Sequence, residues 1–219
     1  LVDAFNTLLK EGPIQGKYKT KELEVRGEIE MQSLGALQPE SWMDTFFHEL
    51  GHSIEAQSGM RNALNTLRQI LRPDYAASKS FKQMSGKAYD GFINLSRMRR
   101  PSLWRNLDAT MAAFADSNNR LGLEITTPSA REISLMTPLN YGDFIMEYAS
   151  ALEARGHDTA KFVTELLPEL KRQVDYAHGA AELSADAVAM YMQNPKHMKK
   201  HYPEQAEIIR SIVNNSDVS

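Results

Sequence analysis

Apolar residues recur every three or four positions over most of the chain, which is the spacing of one face of an α-helix. This pattern predicts helices over 1–11, 41–57, 60–71, 83–98, 102–117, 143–155, 158–175 and 179–193. Proline and glycine separate most of these segments, and both residues mark helix ends. The stretch 118–142 has the least regular pattern, and we expect a loop there.

Residues 17–34 follow a different pattern, because polar and apolar side chains alternate around Leu23, Val25 and Ile29. A period of two is typical of a β-strand with one exposed face. We therefore expect a small, charged N-terminal β-hairpin or sheet, with Gly27 as a bend or bulge.

The chain has 219 residues, which suits one domain with its own core. We expect a single domain over 1–219, of the mainly α (α+β) class, in which the N-terminal hairpin or sheet packs on the helix of 41–58. Its predicted parts are a strand-rich lead-in over 1–40, this helix over 41–58, a helical insert over 59–142 and a helical C-terminal part over 143–219.

Composition narrows the class of function. Hydrophobic residues are 42%, charged residues 24% and the net charge is -3, so nothing indicates nucleic-acid binding. The short basic cluster 97–100 is interpreted as a solvated helix end. No apolar run is long enough to span a membrane, and the first residues lack a signal-peptide pattern. The absence of cysteine fits a cytoplasmic protein and leaves His, Asp and Glu as metal ligands.

An H-E-x-x-H motif, His48-Glu49-Leu50-Gly51-His52, lies within the helix predicted over 41–57. Histidines four residues apart lie on one helix face, so both imidazoles can reach a single metal ion. Glu49, beside the first ligand, can contact a metal-bound water and act as general base. Two exposed histidines on an ordinary amphipathic helix are the alternative, which the strongly apolar flanking residues disfavour.

Gly51 stands inside this helix, where glycine costs about 1 kcal/mol relative to alanine. We expect another backbone to approach closely at this position. The alanine-rich segment 180–187 lies in a predicted helix, and its small side chains would allow such packing against the motif helix.

A hydrolytic zinc site needs a third protein ligand and an open position. Glu182 is the first candidate, and Asp186 lies four residues on, on the same helix face. One carboxylate can bind the metal while the other accepts the second N–H of a ligating histidine. One alternative is that both carboxylates lie on an exposed face. Another is that Glu147 or Glu153, on the helix predicted over 143–155, is the ligand. His178, one turn before Glu182, is a ligand, a transition-state donor or a helix-start residue.

With these residues the chain resembles the gluzincin branch of zinc metallopeptidases, which combine this motif with a downstream helical glutamate. The resemblance implies a zincin-like fold and Zn²⁺ held by His48, His52 and Glu182. It also implies that Asp186 contacts a ligating histidine and that peptide bonds of a peptide or protein substrate are hydrolysed with Glu49 as general base.

A narrower resemblance is to the zincin-like peptidase domains of bacteriophage and mobile-element polyvalent proteins. It covers about 20–60 and 176–212, and includes Thr45 before the motif, the run from Glu182 to Pro195, and a closing helix. It implies an alternative location, in which the protein is virion-associated or delivered into a host cell. It also implies an alternative function, in which the chain is a catalytically inactive zincin-fold binding or structural module.

Gluzincins also place a Tyr or His to stabilise the oxyanion of the tetrahedral intermediate. No fixed motif marks that residue in this chain. Tyr176 and His178 are the first candidates for this catalytic role, and Tyr148 and Tyr191 are the alternatives. We expect neither a nucleic acid nor a membrane as partner, and the oligomeric state has no signature in the sequence.

Overall fold

The computed structural model describes residues 16–19, 28–31, 39–75 and 78–215. The helices are α1 (Pro39–Ser58), α2 (Met60–Leu71), α3 (Lys79–Arg99), α4 (Pro101–Arg120), α5 (Ala130–Leu135), α6 (Pro138–Glu153), α7 (Leu167–Ala177), α8 (Ala180–Gln193), α9 (Pro195–His201) and α10 (Pro203–Asn215). A π-helical segment, Phe162–Leu166, directly precedes α7. Within these ranges, no helix combines the length and the apolar character that crossing a membrane requires.

The predicted α+β class is wrong, because from residue 39 onwards the described residues are mainly α, and 83% of them are helical. Gly16–Lys19 (β1) and Glu28–Met31 (β2) pair antiparallel over four residues each. From residue 39 onwards the described residues contain no strand, so no hairpin or sheet layer on the motif helix is found there. An isolated two-stranded hairpin is only marginally stable in water and does not make a layer of a fold. The predicted alternation around Leu23 and Val25 lies outside the described residues.

The predicted loop over 118–142 is also wrong in part, since it contains α5 and the start of α6. A capping box begins α5: the Ser129 hydroxyl accepts the Glu132 N–H, and the Glu132 carboxylate accepts the Ser129 N–H. At the start of α6 the Thr137 hydroxyl accepts the Asn140 N–H, and Pro138 takes the first helical position. Short caps, rather than hydrophobic periodicity, define these helix starts.

The described residues form two compact units, of which one is Arg100–His178 and the other holds the residues on either side of it. The predicted helical insert 59–142 is therefore divided after Arg99. Its first part belongs with the motif helix, and its second part belongs with 143–178. The prediction of a single domain over 1–219 stays a prediction.

The unit Arg100–His178 has an aromatic core. Trp104, Phe114 and Tyr148 are almost completely buried. The hydroxyl of Tyr148 donates to the side-chain oxygen of Asn118, so the polar tip of this buried ring is satisfied.

The other unit is organised around α8, which lies against α1, α2 and α3. A helix that is apolar around its circumference is typically buried, and α8 follows this rule. Its buried residues are Ala180, Leu183, Ser184, Ala185, Asp186, Ala187, Val188 and Ala189. The one ionisable group in this set, Asp186, is therefore surrounded by helices.

Gly51 lets α1 and α8 touch backbone to backbone. A Cβ at Gly51 would lie 2.4 Å from the carbonyl oxygen of Ala185, a separation that no real Cβ contact shows. The predicted close approach at Gly51 is confirmed. It brings the motif histidines of α1 against the carboxylates of α8.

We expect Gly51→Ala to destabilise the protein by about 1–3 kcal/mol, because the added methyl group must displace the α8 backbone. The gain of about 1 kcal/mol in helix propensity is too small to offset this. Urea denaturation measures the change. Gly142→Ala is the matched control, since a Cβ there meets no atom within 4 Å and should stabilise α6. Equal stability of the two variants would contradict the role of the contact.

Candidate metal centre

Helices α1 and α8 bring the side chains of His48, His52 and Glu182 together. The two Nε2 atoms of the histidines are 3.1 Å apart. Glu182 Oε2 is 3.3 Å from Nε2 of His48, and Glu182 Oε1 is 3.4 Å from Nε2 of His52. Tetrahedral zinc ligands at 2.0–2.1 Å from the metal are about 3.3 Å from one another. The three side chains therefore fit three corners of a zinc tetrahedron.

This cluster is partly accessible. The side chains of His48, His52 and Glu182 are 14%, 13% and 16% exposed, so each of them is partly open to solvent. In the described part of the chain, these three residues form a group whose ligand atoms are close enough together to hold one metal ion. A fourth ligand can therefore approach from outside, which hydrolytic zinc sites require.

Asp186 fixes the orientation of His48. Its Oδ1 lies 3.0 Å from His48 Nδ1. This nitrogen is on the opposite side of the ring from Nε2, which faces His52 and Glu182. Ser96 donates its hydroxyl to Asp186 Oδ2 at 2.5 Å, and Arg99 Nε lies 3.5 Å from Oδ1. A carboxylate that accepts the second ring N–H sets the tautomer and raises the basicity of the ligand. The structure thus places Asp186 against His48 rather than His52.

Ser96 and Arg99, both on α3, were missed by the sequence analysis. Arg99 was interpreted as part of a solvated helix end, which is wrong, since its side chain is only 6% exposed. It also donates to the backbone oxygen of Asp44, one turn before His48 on α1. The spacing of Phe92, Ser96 and Arg99 on one helix face was the available signal.

Glu49 is buried next to the candidate metal ligands His48 and His52 on α1. It is 4% exposed, and its charge contributes to raising the pKa of His52. Its position next to the first ligand matches what the motif requires of a general base, a role that stays a prediction.

The rival third ligands lie in the unit Arg100–His178. Glu147 is exposed on α6. Glu153, at the end of the same helix, accepts a hydrogen bond from the Thr159 hydroxyl at 2.9 Å. Glu182, in contrast, lies with both histidines, so the geometry favours it as the ligand.

The candidate oxyanion donors are placed as follows. The buried ring of His178 meets Trp104 edge to face at 5.0 Å, and Tyr176 is 43% exposed with the Arg100 guanidinium 5.4 Å from its ring centre. Tyr148 uses its hydroxyl inside the aromatic core of the unit Arg100–His178. Tyr191 is partly buried on α8. The catalytic role of Tyr176 and His178 stays a prediction.

The carboxylates change the acidity of both histidines. Burial lowers the pKa of His48, but its hydrogen bonds to Asp186 and Glu182 outweigh this and raise it above its ordinary value. Burial also lowers the pKa of His52, while Glu182 and Glu55 raise it, to about 9. Because zinc binds the unprotonated imidazole, protons and metal compete for these nitrogens at neutral pH.

The candidate metal centre is defined by residues of this chain alone. Comparisons with protein families, curated proteins and solved structures gave no match. The predicted resemblance to gluzincins and to polyvalent-protein peptidase domains stays a prediction. The spacing of the three side chains is independent of it.

We expect His48→Ala, His52→Ala and Glu182→Ala each to weaken zinc binding by more than about 10–100-fold. A loss of about 10–100-fold is typical when the residue removed only hydrogen-bonds to a metal ligand. Each variant removes one of three protein ligands. Equilibrium dialysis with zinc measures the change. His197→Ala is the control, because it also removes one histidine of a neighbouring pair but lies outside the candidate cluster. The ring centres of His197 and His201, on α9, are 4.5 Å apart. Wild-type affinity in Glu182→Ala, or equal loss in His197→Ala, would contradict the assigned cluster.

Zinc binding should release protons at pH 7. The pKa of His52 is raised from 6.5 to about 9, so at pH 7 its imidazole holds a proton that the metal must displace. The apparent zinc affinity should therefore rise with pH and level off above about pH 9. Isothermal titration calorimetry in two buffers of different ionisation enthalpy counts the protons. Zinc binding without proton release at pH 7 would contradict this prediction.

Proposed function

We propose that this chain is a zinc-dependent metallopeptidase that hydrolyses peptide bonds in a peptide or protein substrate. One observation supports this above all others. Nitrogen atoms of His48 and His52 and a carboxylate of Glu182 match three corners of one zinc tetrahedron, and the buried Glu49 directly follows the first histidine. This donor set, with two imidazoles and one carboxylate, is typical of hydrolytic zinc.

The residues of this chain divide the chemistry among them. Zn²⁺ held by His48, His52 and Glu182 would supply Lewis acidity, which polarises the scissile carbonyl and lowers the pKa of water. Glu49 takes the proton of the attacking water on its carboxylate and passes it to the nitrogen of the leaving amine. Asp186 keeps His48 in the tautomer that presents Nε2.

Stabilisation of the oxyanion completes the proposed reaction. A hydrogen-bond donor at this position is worth about 3–4 kcal/mol in comparable sites. Tyr176 and His178 are the residues proposed for it. The proposal places the enzyme in the cytoplasm, or in a virion from which it is delivered into a host cell, and includes no nucleic acid or membrane partner.

A catalytically inactive zincin-fold binding module is the second candidate. The observation that favours it is that no fixed motif in this chain marks a residue that would stabilise the oxyanion. A chain that binds zinc and cleaves nothing would match this second candidate.

We expect Glu49→Gln to retain zinc and to lose peptide hydrolysis by about 10²–10⁴-fold, because the amide cannot accept the proton of water. Zinc content and cleavage of an unstructured fluorescent protein substrate, with and without chelator, measure both properties. Glu207→Gln on α10 makes the same chemical change at an exposed position and should leave activity unchanged. Full activity in Glu49→Gln would refute the mechanism. Zinc binding without chelator-sensitive cleavage in the wild type would favour the binding module.

A further inference from the structure

His52 has a buried carboxylate of its own. Glu55 lies three residues further along α1, is completely buried, and places Oε1 3.7 Å from Nδ1 of His52. The other ring nitrogen of His52, Nε2, faces Glu182. His52 is therefore oriented like His48, with Nε2 toward the candidate metal position and Nδ1 toward a buried carboxylate.

Arg61 holds the Glu55 carboxylate with a two-pronged contact. Its Nε donates to Oε2 at 3.0 Å, and a terminal nitrogen donates to Oε1. Contacts of this fork geometry are directional and strong. Arg61 reaches Glu55 because Gly59, with φ of 73°, turns the chain between α1 and α2. The carboxylate therefore cannot rotate away from His52 without breaking this ion pair.

We propose that Glu55 and Arg61 are positioning residues for His52, within the metal centre on which the proposed function rests. An imidazole that binds zinc through Nε2 carries its proton on Nδ1, and this N–H needs an acceptor. Glu55 Oε1 is the carboxylate oxygen that the structure places beside this nitrogen. The separation of 3.7 Å is an ion-pair distance, about 0.5 Å beyond the limit of a hydrogen bond.

The competing explanation is that the ion pair only joins α1 to α2. Burial of a carboxylate is costly, and a well-packed apolar residue often stabilises such a position at least as well. A pair that served only to join two helices would not need its carboxylate at zero exposure beside an imidazole. Arg61, in contrast, is 47% exposed, so the charge that is fully buried is the one that faces His52.

The test uses the full chain with Glu55→Ala, the isosteric Glu55→Gln, and Arg61→Met. Competition with a chromophoric chelator measures zinc affinity, and ¹H–¹⁵N spectra of the zinc-loaded protein detect the His52 Nδ1–H. We expect Glu55→Ala to weaken zinc binding about 10–100-fold and to abolish the Nδ1–H signal. Glu55→Gln should have a smaller effect, since its amide oxygen still accepts, and Arg61→Met should change affinity in the same direction.

Ile70→Val on α2 is the control for general destabilisation. Ile70 is almost fully buried and lies on the same helix as Arg61, so the variant should lower the melting temperature and leave zinc affinity unchanged. Glu55 variants with lowered melting temperature but with wild-type affinity and an intact Nδ1–H signal would overturn the inference. A wild-type chain that binds no zinc would also overturn it.

Failure of the proposed function gives a different result. If the wild type binds zinc without cleaving peptides while Glu55→Ala weakens the binding, the peptidase proposal fails. The positioning role of Glu55 and Arg61 is then supported.

Discussion

The contact of α1 with α8 at Gly51 and Ala185 is the constraint on which the candidate site depends. His48 and His52 lie three residues before and one residue after Gly51. Glu182 and Asp186 lie at the same offsets from Ala185. A side chain larger than hydrogen at Gly51 would push α8 away, and the carboxylates would then be too far from the imidazoles. Helices usually pack 8–10 Å apart, and small residues at the crossing permit a closer approach.

The parts of the site that lie within one helix could be predicted from the sequence, because a helix fixes the distance between residues four apart. This applies to the two histidines and to Glu182 with Asp186. The supporting residues could not be predicted in this way. Ser96 and Arg99 reach Asp186 only because of how α3 is placed against α8, and that placement depends on tertiary packing. The fold of Arg61 back onto Glu55 depends on the conformation of one glycine.

The errors in fold prediction have physical causes as well. Helix α5 has six residues, too few for hydrophobic periodicity to be visible, although Ser129 and Glu132 form a capping box that the sequence contains. Alternation around Ile29 indicated a sheet, but four paired residues on each side do not make a layer. Long helices with an apolar face were predicted within five residues of their ends, because many side chains contribute to the pattern, although the segment predicted as one helix over 158–175 contains a π-helical part. Short segments depend on one or two caps or turns.

The balance of charge explains why this arrangement is suited to a divalent cation. The buried or half-buried acidic residues around the histidine pair outnumber the arginines beside them by two. The acidic residues are Glu49, Glu55, Glu182 and Asp186, and the arginines are Arg61 and Arg99. Neutral histidines would leave two uncompensated negative charges in a poorly solvated region, which is unfavourable. One Zn²⁺ removes this imbalance. Burial lowers the pKa of both histidines, but the nearby carboxylates outweigh it and raise the pKa, so the same negative charge that favours a proton on the imidazoles also favours a divalent cation between them.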